Sequence, residues 1–266
     1  MTLPKVLTIA GSDSGGGAGI QADLKTLQEL DTYGLSVITA ITAQNTVGVQ
    51  AVHPVSLHVL TDQLESVFSD IKVDAVKTGM LVSADYIQSI SRYVSEYNVH
   101  SLVIDPVLGS TTGSELTKVE AIEELKNSLW PLATVVTPNL IEASQMLGWD
   151  SINTVGEMEK AIYELHNFGA KSILLKGGHL PGGESVDLLY DGHTLTHFPM
   201  KRIDQPHTHG TGCTLASAIA AGLAKGDSII EAVSTAKEFV TCAIREGFSI
   251  GHGSGPLNHS AYRHRQ

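Results

Sequence analysis

The chain has 266 residues, 42% of them hydrophobic, and a formal net charge of −11 at pH 7. The length allows one large core and predicts a single domain over residues 1–266, whereas the acidic charge argues against a nucleic-acid or membrane-surface partner, since either would need a basic face. Two cysteines are too few for a disulfide framework, residues 1–5 carry no leader pattern, and no apolar run approaches the roughly 18 residues of a membrane span, so we expect a cytoplasmic protein.

Short apolar runs rich in β-branched residues alternate with stretches of helical periodicity. The apolar runs predict strands at residues 6–10, 37–40, 73–76, 102–104, 133–136 and 173–175. The periodic stretches predict helices at residues 21–30, 57–71, 86–97, 119–129, 154–168, 211–224 and 228–245. Because strands that are apolar throughout are typical of parallel strands buried on both faces, the alternation predicts an α/β fold, a three-layer αβα sandwich with a mostly parallel central sheet.

One segment departs from this alternation. Two strand-like runs, 186–190 and 195–198, flank the pair Asp191 and Gly192. This spacing predicts a β-hairpin with a type I′ turn. The hairpin would add a small antiparallel edge to the sheet.

Polar, glycine-rich segments follow several predicted strands, at the edge where α/β sheets bind ligands. Residues 11–19 follow the first strand and match neither the dinucleotide fingerprint nor the Walker loop. Their glycines permit a ligand to approach the backbone closely, and Asp13 and Asp23 offer carboxylates that accept hydrogen bonds from a small neutral molecule. In the alternative reading, Asp13 or Ser14 caps the following helix.

Further along the chain, Gln44 follows the second strand and Met80 the third. The Gln44 amide could read a heteroaromatic ring with donor and acceptor edges, and the polarizable Met80 side chain could lie against a flat ring. Met80 is equally explained as filling of the core.

Two carboxylates suggest a metal site. Asp105 ends the buried fourth strand, where an aspartate is costly without a cation or donors, and Mg²⁺ is a natural partner. Asn139 and Glu142 could hold waters around Mg²⁺, but their spacing equally indicates a capping box at the start of a helix. Residues 108–116 are small and polar, as a lid over a reacting phosphate or an ordinary loop would be.

A glycine turn opens the predicted helix at residue 211. Gly210, Thr211 and Gly212 let several backbone N–H groups converge at the helix N-terminus, which predicts an anion site for phosphate, and Lys176 on another glycine turn could reach the same phosphates. We expect this positive field to lower the pKa of the Cys213 thiol and to make it a proton acceptor. The alternatives are a small core cysteine after a tight loop, or a metal site made with His207 and His209.

Together these segments resemble the hydroxymethylpyrimidine/phosphomethylpyrimidine kinases of the thiamin pathway, within the ribokinase-like superfamily. The likeness spans nearly the whole chain and rests on motifs in the right order: 7–13 with 15–25, 43–46, 78–80, 137–139 with Glu142, 176–179, 208–214 and 251–259. It implies phosphorylation of 4-amino-5-hydroxymethyl-2-methylpyrimidine to its monophosphate and then its diphosphate. It also implies ATP and Mg²⁺ as cofactors and a homodimer, and it leaves a K⁺ requirement open.

The resemblance assigns roles to individual positions. The pyrimidine pocket would be lined by Gly11, Ala18, Asp23, Gln44, Met80 and Val107. Lys176, Asn139 and the 210–213 loop would serve the nucleotide, Asp105 and Glu142 would organise Mg²⁺, and Cys213 stands where most ribokinase relatives have a catalytic aspartate. Two other functions remain open. The first is a pyridoxal or pyridoxine kinase, although residues 108–116 lack the lid cysteine of some such enzymes. The second is a non-catalytic pyrimidine sensor.

Overall fold

A computed structural model of the chain describes residues 3–108, 119–180 and 184–265. Its strands form one sheet in the order β3-β2-β1-β4-β5-β6-β7-β8-β9. The strands are β1 (Lys5–Asp13), β2 (Tyr33–Asn45), β3 (Gly48–Pro54), β4 (Ala75–Thr78), β5 (Leu102–Ile104), β6 (Val135–Val136), β7 (Ile173–Leu175), β8 (Glu184–Tyr190) and β9 (Leu195–Lys201).

The centre of the sheet is parallel and its edges are antiparallel. Strands β2, β1, β4, β5, β6 and β7 pair in parallel, which confirms the predicted α/β fold with a mostly parallel sheet. The predicted antiparallel edge is formed by β8 and β9. A second one, β3 against β2, was not predicted.

Helices cover both faces of the sheet. They are α1 (Gly19–Glu29), α2 (Leu57–Phe68), α3 (Ala84–Glu96), α4 (Val119–Glu124), α5 (Leu140–Leu147), α6 (Val155–His166), α7 (Thr211–Lys225) and α8 (Ile229–Arg245). A π-helical turn (Leu125–Leu129) continues α4, and a 3-10 segment (His259–Arg265) lies near the end. In the part of the chain described, no helix is long and apolar enough to cross a bilayer.

The apolar side chains form two cores, one on each face of the sheet. One core takes its helical members from α2 to α6, for example Leu64, Ile90 and Ile162. The other takes them from α1, α7 and α8, for example Leu27, Ile219 and Phe239. The sheet between two helical layers is the predicted three-layer sandwich.

The β8–β9 hairpin is confirmed, but its predicted turn is wrong. The connection has four residues. A type I′ turn needs two residues with positive φ, but among the described residues of this connection only Gly192, with φ of 91°, has one. The Asp191 carboxylate sets the shape instead, because its Oδ1 accepts hydrogen bonds from the backbone of His193 at 2.9 Å and Thr194 at 2.7 Å.

Candidate active site

A cavity of about 590 Å³ lies where the carboxyl ends of the parallel strands meet the N-terminus of α7. Topology explains its place, since parallel strands present all their carboxyl ends at one edge of a sheet. The structure brings together at this cavity fourteen of the residues singled out in the sequence, and it leaves out Asp23. They are Gly11, Asp13, Ala18, Gln44, Met80, Asp105, Val107, Asn139, Glu142, Lys176, Gly210, Thr211, Gly212 and Cys213.

The turn before α7 has the geometry of an anion site. Gly210 is the N-cap of this 15-residue helix and has φ of 87°, a backbone conformation that glycine adopts freely. No side chain caps the helix, and the Thr211 N–H donates to the Thr208 carbonyl oxygen at 3.3 Å. The N–H groups of Gly212 and Cys213 and the positive end of the helix dipole lie at the cavity wall. A phosphate group is the natural occupant of such a position.

Cys213 does not ionise as the sequence led us to expect. Burial, together with the carboxylates of Asp23 and Asp105, raises the pKa of the thiol to about 11, against the opposing charge of Lys77. The prediction of a lowered pKa was therefore wrong. The helix dipole is one contribution, and desolvation with two nearby carboxylates outweighs it.

Lys176 and Asp105 form an ion pair at the floor of the cavity. Lys176 Nζ donates to Asp105 Oδ1 at 3.0 Å, and Thr137 Oγ1 donates to the same oxygen at 3.3 Å. Burial alone would lower the pKa of Lys176, but the charges of Asp105 and Glu142 raise it, so the ammonium keeps its proton. A β-carbon on Gly212 would lie 3.4 Å from Asp105 Oδ2, which puts this pair directly under the anion site.

The structure contains the capping box that Asn139 and Glu142 indicated. Asn139 Oδ1 accepts from the Glu142 backbone at 2.9 Å, and Glu142 Oε2 accepts from the Asn139 backbone at 2.8 Å. Capping thus uses one oxygen of Glu142, and the Leu108 backbone also donates a hydrogen bond to this carboxylate. Burial raises the pKa of Glu142, and Asp105 adds to this, while Lys176 opposes it.

Asp13 holds the glycine-rich loop together. Its carboxylate accepts from the backbone N–H groups of Gly15 at 2.7 Å, Gly17 at 3.0 Å and Ala18 at 2.8 Å, and Ala18 is the N-cap of α1. Burial would raise its pKa, but these hydrogen bonds and His209 lower it overall. The capping alternative is not confirmed, because Asp13 accepts from loop N–H groups up to the N-cap Ala18 and not from the first turn of α1. Its oxygens, which were expected to receive ligand donors, are engaged by the loop.

Asp23 does not line the cavity, contrary to the role implied for it. It is fully buried, and its carboxylate accepts from Lys77 Nζ at 2.8 and 2.9 Å, Thr8 Oγ1 at 2.6 Å and Ser217 Oγ at 2.7 Å. Burial alone would lower the pKa of Lys77, yet Asp23 keeps it above its usual value. The pair ties α1 and α7 to the sheet behind the cavity wall.

The side of the cavity that the resemblance assigns to the pyrimidine combines close backbone approach with local strain. A β-carbon on Gly11 would come 2.5 Å from Met80 Cε, so the glycine allows the methionine side chain to lie against the backbone. Val107 has φ of 40°, a conformation that β-branched residues rarely adopt. Such strain is concentrated at functional sites in proteins. The proposed lid, from residue 109 onward, lies outside the described residues.

Sequence reasoning missed much of the other half of the cavity. Lys237 Nζ donates to Asp187 Oδ2 at 2.5 Å, and Asp187 Oδ1 accepts from the Gly177 backbone at 2.8 Å. This wall also contains Met200, Ile203, Leu215, Val240, Thr241 and Ile244. Of this wall, only the part formed by α7 and α8 had a signal in the sequence, namely the helical periodicity of residues 211–224 and 228–245.

His209 was considered only as a metal ligand, and the structure gives it other partners. Its Nε2 lies 3.1 Å from Asp13 Oδ2 and 3.2 Å from the Gln44 amide. His207 Nδ1 accepts from the Gly255 backbone at 3.0 Å. Across residues 3–108, 119–180 and 184–265, no group of three or more His, Cys, Asp or Glu side chains is arranged to hold a metal ion.

Similarity to known proteins identifies the family of the chain. The family model described as phosphomethylpyrimidine kinase matches residues 13–258. The chain belongs to this family. It is 52% identical over 254 residues to the thiamine biosynthesis bifunctional protein ThiED of Geobacter sulfurreducens, covering 96% of this chain and 52% of that protein, so it spans about half of that relative. It is 46% identical to the hydroxymethylpyrimidine/phosphomethylpyrimidine kinase of Bacillus subtilis, covering 99% of this chain and 97% of that one.

Among solved structures, the chain is similar to the pyridoxal kinase from Staphylococcus aureus. The complex of that protein with ADP superposes with a TM-score of 0.94 at 42% identity and covers 100% of this chain and 97% of that one. The same protein has been solved with AMP-PCP and pyridoxal. The ribokinase-like fold expected from the resemblance is therefore confirmed.

Proposed function

We propose that this chain transfers the γ-phosphoryl group of ATP to the hydroxymethyl group of 4-amino-5-hydroxymethyl-2-methylpyrimidine and then phosphorylates the resulting monophosphate. The observation that carries this proposal is the convergence of an uncapped helix N-terminus, the Lys176–Asp105 pair and the Cys213 thiol on one cavity. Phosphoryl transfer needs positioning and neutralisation of charge on the phosphoryl oxygens, and these groups supply both.

Within this reaction, the backbone N–H groups of Gly212 and Cys213 bind the transferred phosphoryl group, and Lys176 neutralises its developing charge. The Cys213 thiol, neutral in the free protein, orients the substrate hydroxyl by a hydrogen bond. In a loose transition state the nucleophile keeps its proton until late, so orientation matters more than early deprotonation. The proton then passes to an oxygen of the transferred phosphoryl group as the new O–P bond forms. The second step uses an acceptor that is already anionic and therefore depends less on Cys213.

Asp105 and Glu142 fit a Mg²⁺ site. Mg²⁺ binds through one or two carboxylates and keeps several waters, and these two are buried side by side with one Glu142 oxygen outside the capping box. When bound, the ion would neutralise charge on the nucleotide phosphates. Asn139 holds Glu142 in place through the capping box, so we assign it a supporting role. An assay of ADP formation in which K⁺ is replaced by Na⁺ tests whether the protein requires potassium.

The wall opposite the pyrimidine side suits the nucleotide. Apolar side chains from α7, α8 and β9 face the cavity there, and adenine is commonly held by such surfaces. The Lys237–Asp187 pair fixes the Gly177 turn next to Lys176, which places the cation against the phosphates.

The resemblance also leads us to propose a homodimer. Apolar side chains are exposed beside the antiparallel β2–β3 edge, with Ile41 at 55% and Val47 at 65% of their full exposure. Contact with a second copy at this edge would remove both side chains from water. Light scattering of the purified protein tests the proposal, and a monomer at all concentrations would refute it.

Pyridoxal kinase activity is the second candidate, and the similarity to the Staphylococcus aureus enzyme favours it. Against it, the chain has only Cys213 and Cys242, so no cysteine lies in residues 108–116 to trap an aldehyde. A non-catalytic sensor would not need the phosphate-binding turn and the buried Lys176–Asp105 pair.

The deciding experiment measures ADP formation with Mg-ATP and each of four acceptors: the hydroxymethylpyrimidine, its monophosphate, pyridoxal and pyridoxine. We expect the highest kcat/KM for the two pyrimidines, with the diphosphate identified by mass spectrometry. A higher kcat/KM for pyridoxal would favour the second candidate, and no ADP with any acceptor would favour the sensor. In the same assay, Cys213→Ala tests the role of the thiol, and Cys242→Ala, which changes a cysteine outside the cavity, is its control.

A further inference from the structure

Hydrogen-bond chemistry around His209 fixes the position of one proton. The Nε2 atom of His209 lies 3.1 Å from Asp13 Oδ2. A carboxylate only accepts hydrogen bonds, so Nε2 carries the proton and donates it. The structure places Gln44 Nε2 3.2 Å from the same imidazole nitrogen. A protonated imidazole nitrogen has no lone pair to accept from an amide N–H group, so the amide oxygen of Gln44 belongs on this side, where it shares the Nε2 proton with Asp13.

The other end of the Gln44 amide leads to the same orientation. Thr42 Oγ1 donates to the Ser12 carbonyl oxygen at 2.9 Å, which uses the single hydroxyl proton. The structure places Gln44 Oε1 3.2 Å from the same Thr42 Oγ1. The hydroxyl can therefore only accept there, and the Gln44 amide nitrogen belongs on the Thr42 side. Rotation of the amide by 180° exchanges its two ends and satisfies both neighbours.

We propose that His209 is a positioning residue that fixes the polarity of the Gln44 amide, with the oxygen toward the imidazole and the nitrogen toward Thr42. Gln44 then presents one N–H group and one oxygen lone pair to the pyrimidine side of the cavity, each at a fixed place. This inference rests on the proposed function, because it assigns Gln44 to the reading of the substrate ring.

The imidazole of His209 is held rigidly enough for this role. A β-carbon on Gly17 would lie 2.5 Å from His209 Cδ2 and 3.2 Å from Pro256, so the ring packs directly against the Gly17 backbone. The His209 backbone donates to the Gly255 carbonyl at 3.3 Å. Asp13, which anchors the ring, is itself fixed by the three N–H groups of the glycine-rich loop.

A fixed amide discriminates between rings. An aminopyrimidine carries an amino donor beside a ring-nitrogen acceptor, and an amide pairs with such an edge through two hydrogen bonds, as Asn and Gln do with adenine. A pyridine ring without the amino group lacks this edge. His209 therefore contributes to selection of aminopyrimidines over pyridines, although it touches no reacting atom.

The kinetic test compares His209→Asn with His209→Gln. Glutamine places its amide nitrogen about as far from the backbone as imidazole Nε2, whereas asparagine is one carbon shorter. We expect His209→Asn to raise the KM for the hydroxymethylpyrimidine about tenfold, the effect of one misdirected hydrogen bond, and to change the KM for ATP less than about twofold. His209→Gln restores most of the loss, and His193→Asn at an exposed histidine has no effect.

The same change in a Gln44→Ala background separates positioning from a general structural role. If His209 acts through Gln44, His209→Asn adds no further rise in KM there. An additive rise, or a loss confined to kcat or to the KM for ATP, would overturn the proposal.

Neutron diffraction of the unliganded protein gives a readout that does not depend on activity. We expect the deuterated nitrogen of Gln44 beside Thr42 and a deuteron on His209 Nε2. Nitrogen beside His209 would refute the positioning role even in an active kinase. Failure of the proposed function would appear instead as the expected amide orientation in a protein that phosphorylates no pyrimidine.

Discussion

Gly17 and Gly210 are in contact backbone to backbone: a β-carbon on Gly210 would lie 1.9 Å from the Gly17 carbonyl oxygen. The contact joins the glycine-rich loop after β1 to the glycine turn before α7. The proposed pyrimidine side and the proposed phosphoryl side of the cavity are thereby fixed relative to each other, which is what an in-line transfer requires.

Replacement of Gly210 by alanine tests this contact. We expect kcat to fall at least about 100-fold, because the turn must shift and a small misplacement of reacting groups is that costly. Gly226 is the matched control, since it ends the same helix with φ of 93° and has no neighbouring atom within 4 Å of an added β-carbon. Gly226→Ala introduces only the backbone strain, so we expect it to lower the unfolding free energy by about 1 kcal/mol and to leave kcat unchanged. Equal kcat values for the two variants would contradict the importance of the contact.

The raised pKa of Cys213 predicts the pH dependence of its alkylation. Only the thiolate reacts, so in a Cys242→Ala background the iodoacetamide rate should rise about tenfold per pH unit above pH 7 and level off only near the pKa of about 11. An unperturbed thiol levels off near about pH 8.5. A plateau at or below that pH in the unliganded protein would show that the helix N-terminus dominates after all.

The two phosphorylation steps should respond differently to loss of the thiol. Cys213→Ala is expected to lower kcat for the hydroxymethylpyrimidine about 100-fold and for its monophosphate by less than about threefold, since only the first acceptor is a neutral hydroxyl. Initial rates are measured separately with each acceptor, with Cys242→Ala as the control. Equal losses in both steps, with nucleotide binding intact, would remove the basis for this asymmetry.

The sequence predicted those features that depend on local pattern. Continuous apolar runs placed β5 and β7 at the observed residues, and the polar segments after the parallel strands located the cavity. It missed β3, because this edge strand is half-exposed and lacks the apolar run of the buried strands.

Properties that depend on distant partners could not be predicted in this way. Nothing near Asp23 in the sequence indicates that its cation is Lys77, 54 positions away. The pKa of Cys213 likewise depends on Asp23 and Asp105, which folding brings near from other strands and helices, and on burial. A motif therefore located the site correctly while giving the wrong ionisation state for its thiol.

Substitution of Asp23 by asparagine distinguishes a buried structural pair from a substrate contact. It leaves the fully buried Lys77 without its counter-ion, so we expect a loss of about 3–5 kcal/mol in unfolding free energy by urea denaturation, with the KM for the pyrimidine changed less than about threefold below the transition. Glu96→Gln breaks the exposed pair with Arg92 and should cost less than about 0.5 kcal/mol. A large rise in the KM for the pyrimidine at unchanged stability would instead indicate that Asp23 contacts the substrate.

Glu142→Gln separates the two roles of the Asn139–Glu142 pair. Glutamine still offers an oxygen to the Asn139 backbone, so the capping box and the thermal stability should remain, but the negative charge beside Asp105 is lost. We expect the Mg²⁺ concentration at half-maximal rate to rise at least about tenfold, because Mg²⁺ has one charged ligand fewer. Glu157→Gln makes the same change in the exposed capping box of α6, where it should leave the Mg²⁺ dependence unaltered. If both variants kept the original Mg²⁺ dependence, Glu142 would be a helix cap and nothing more.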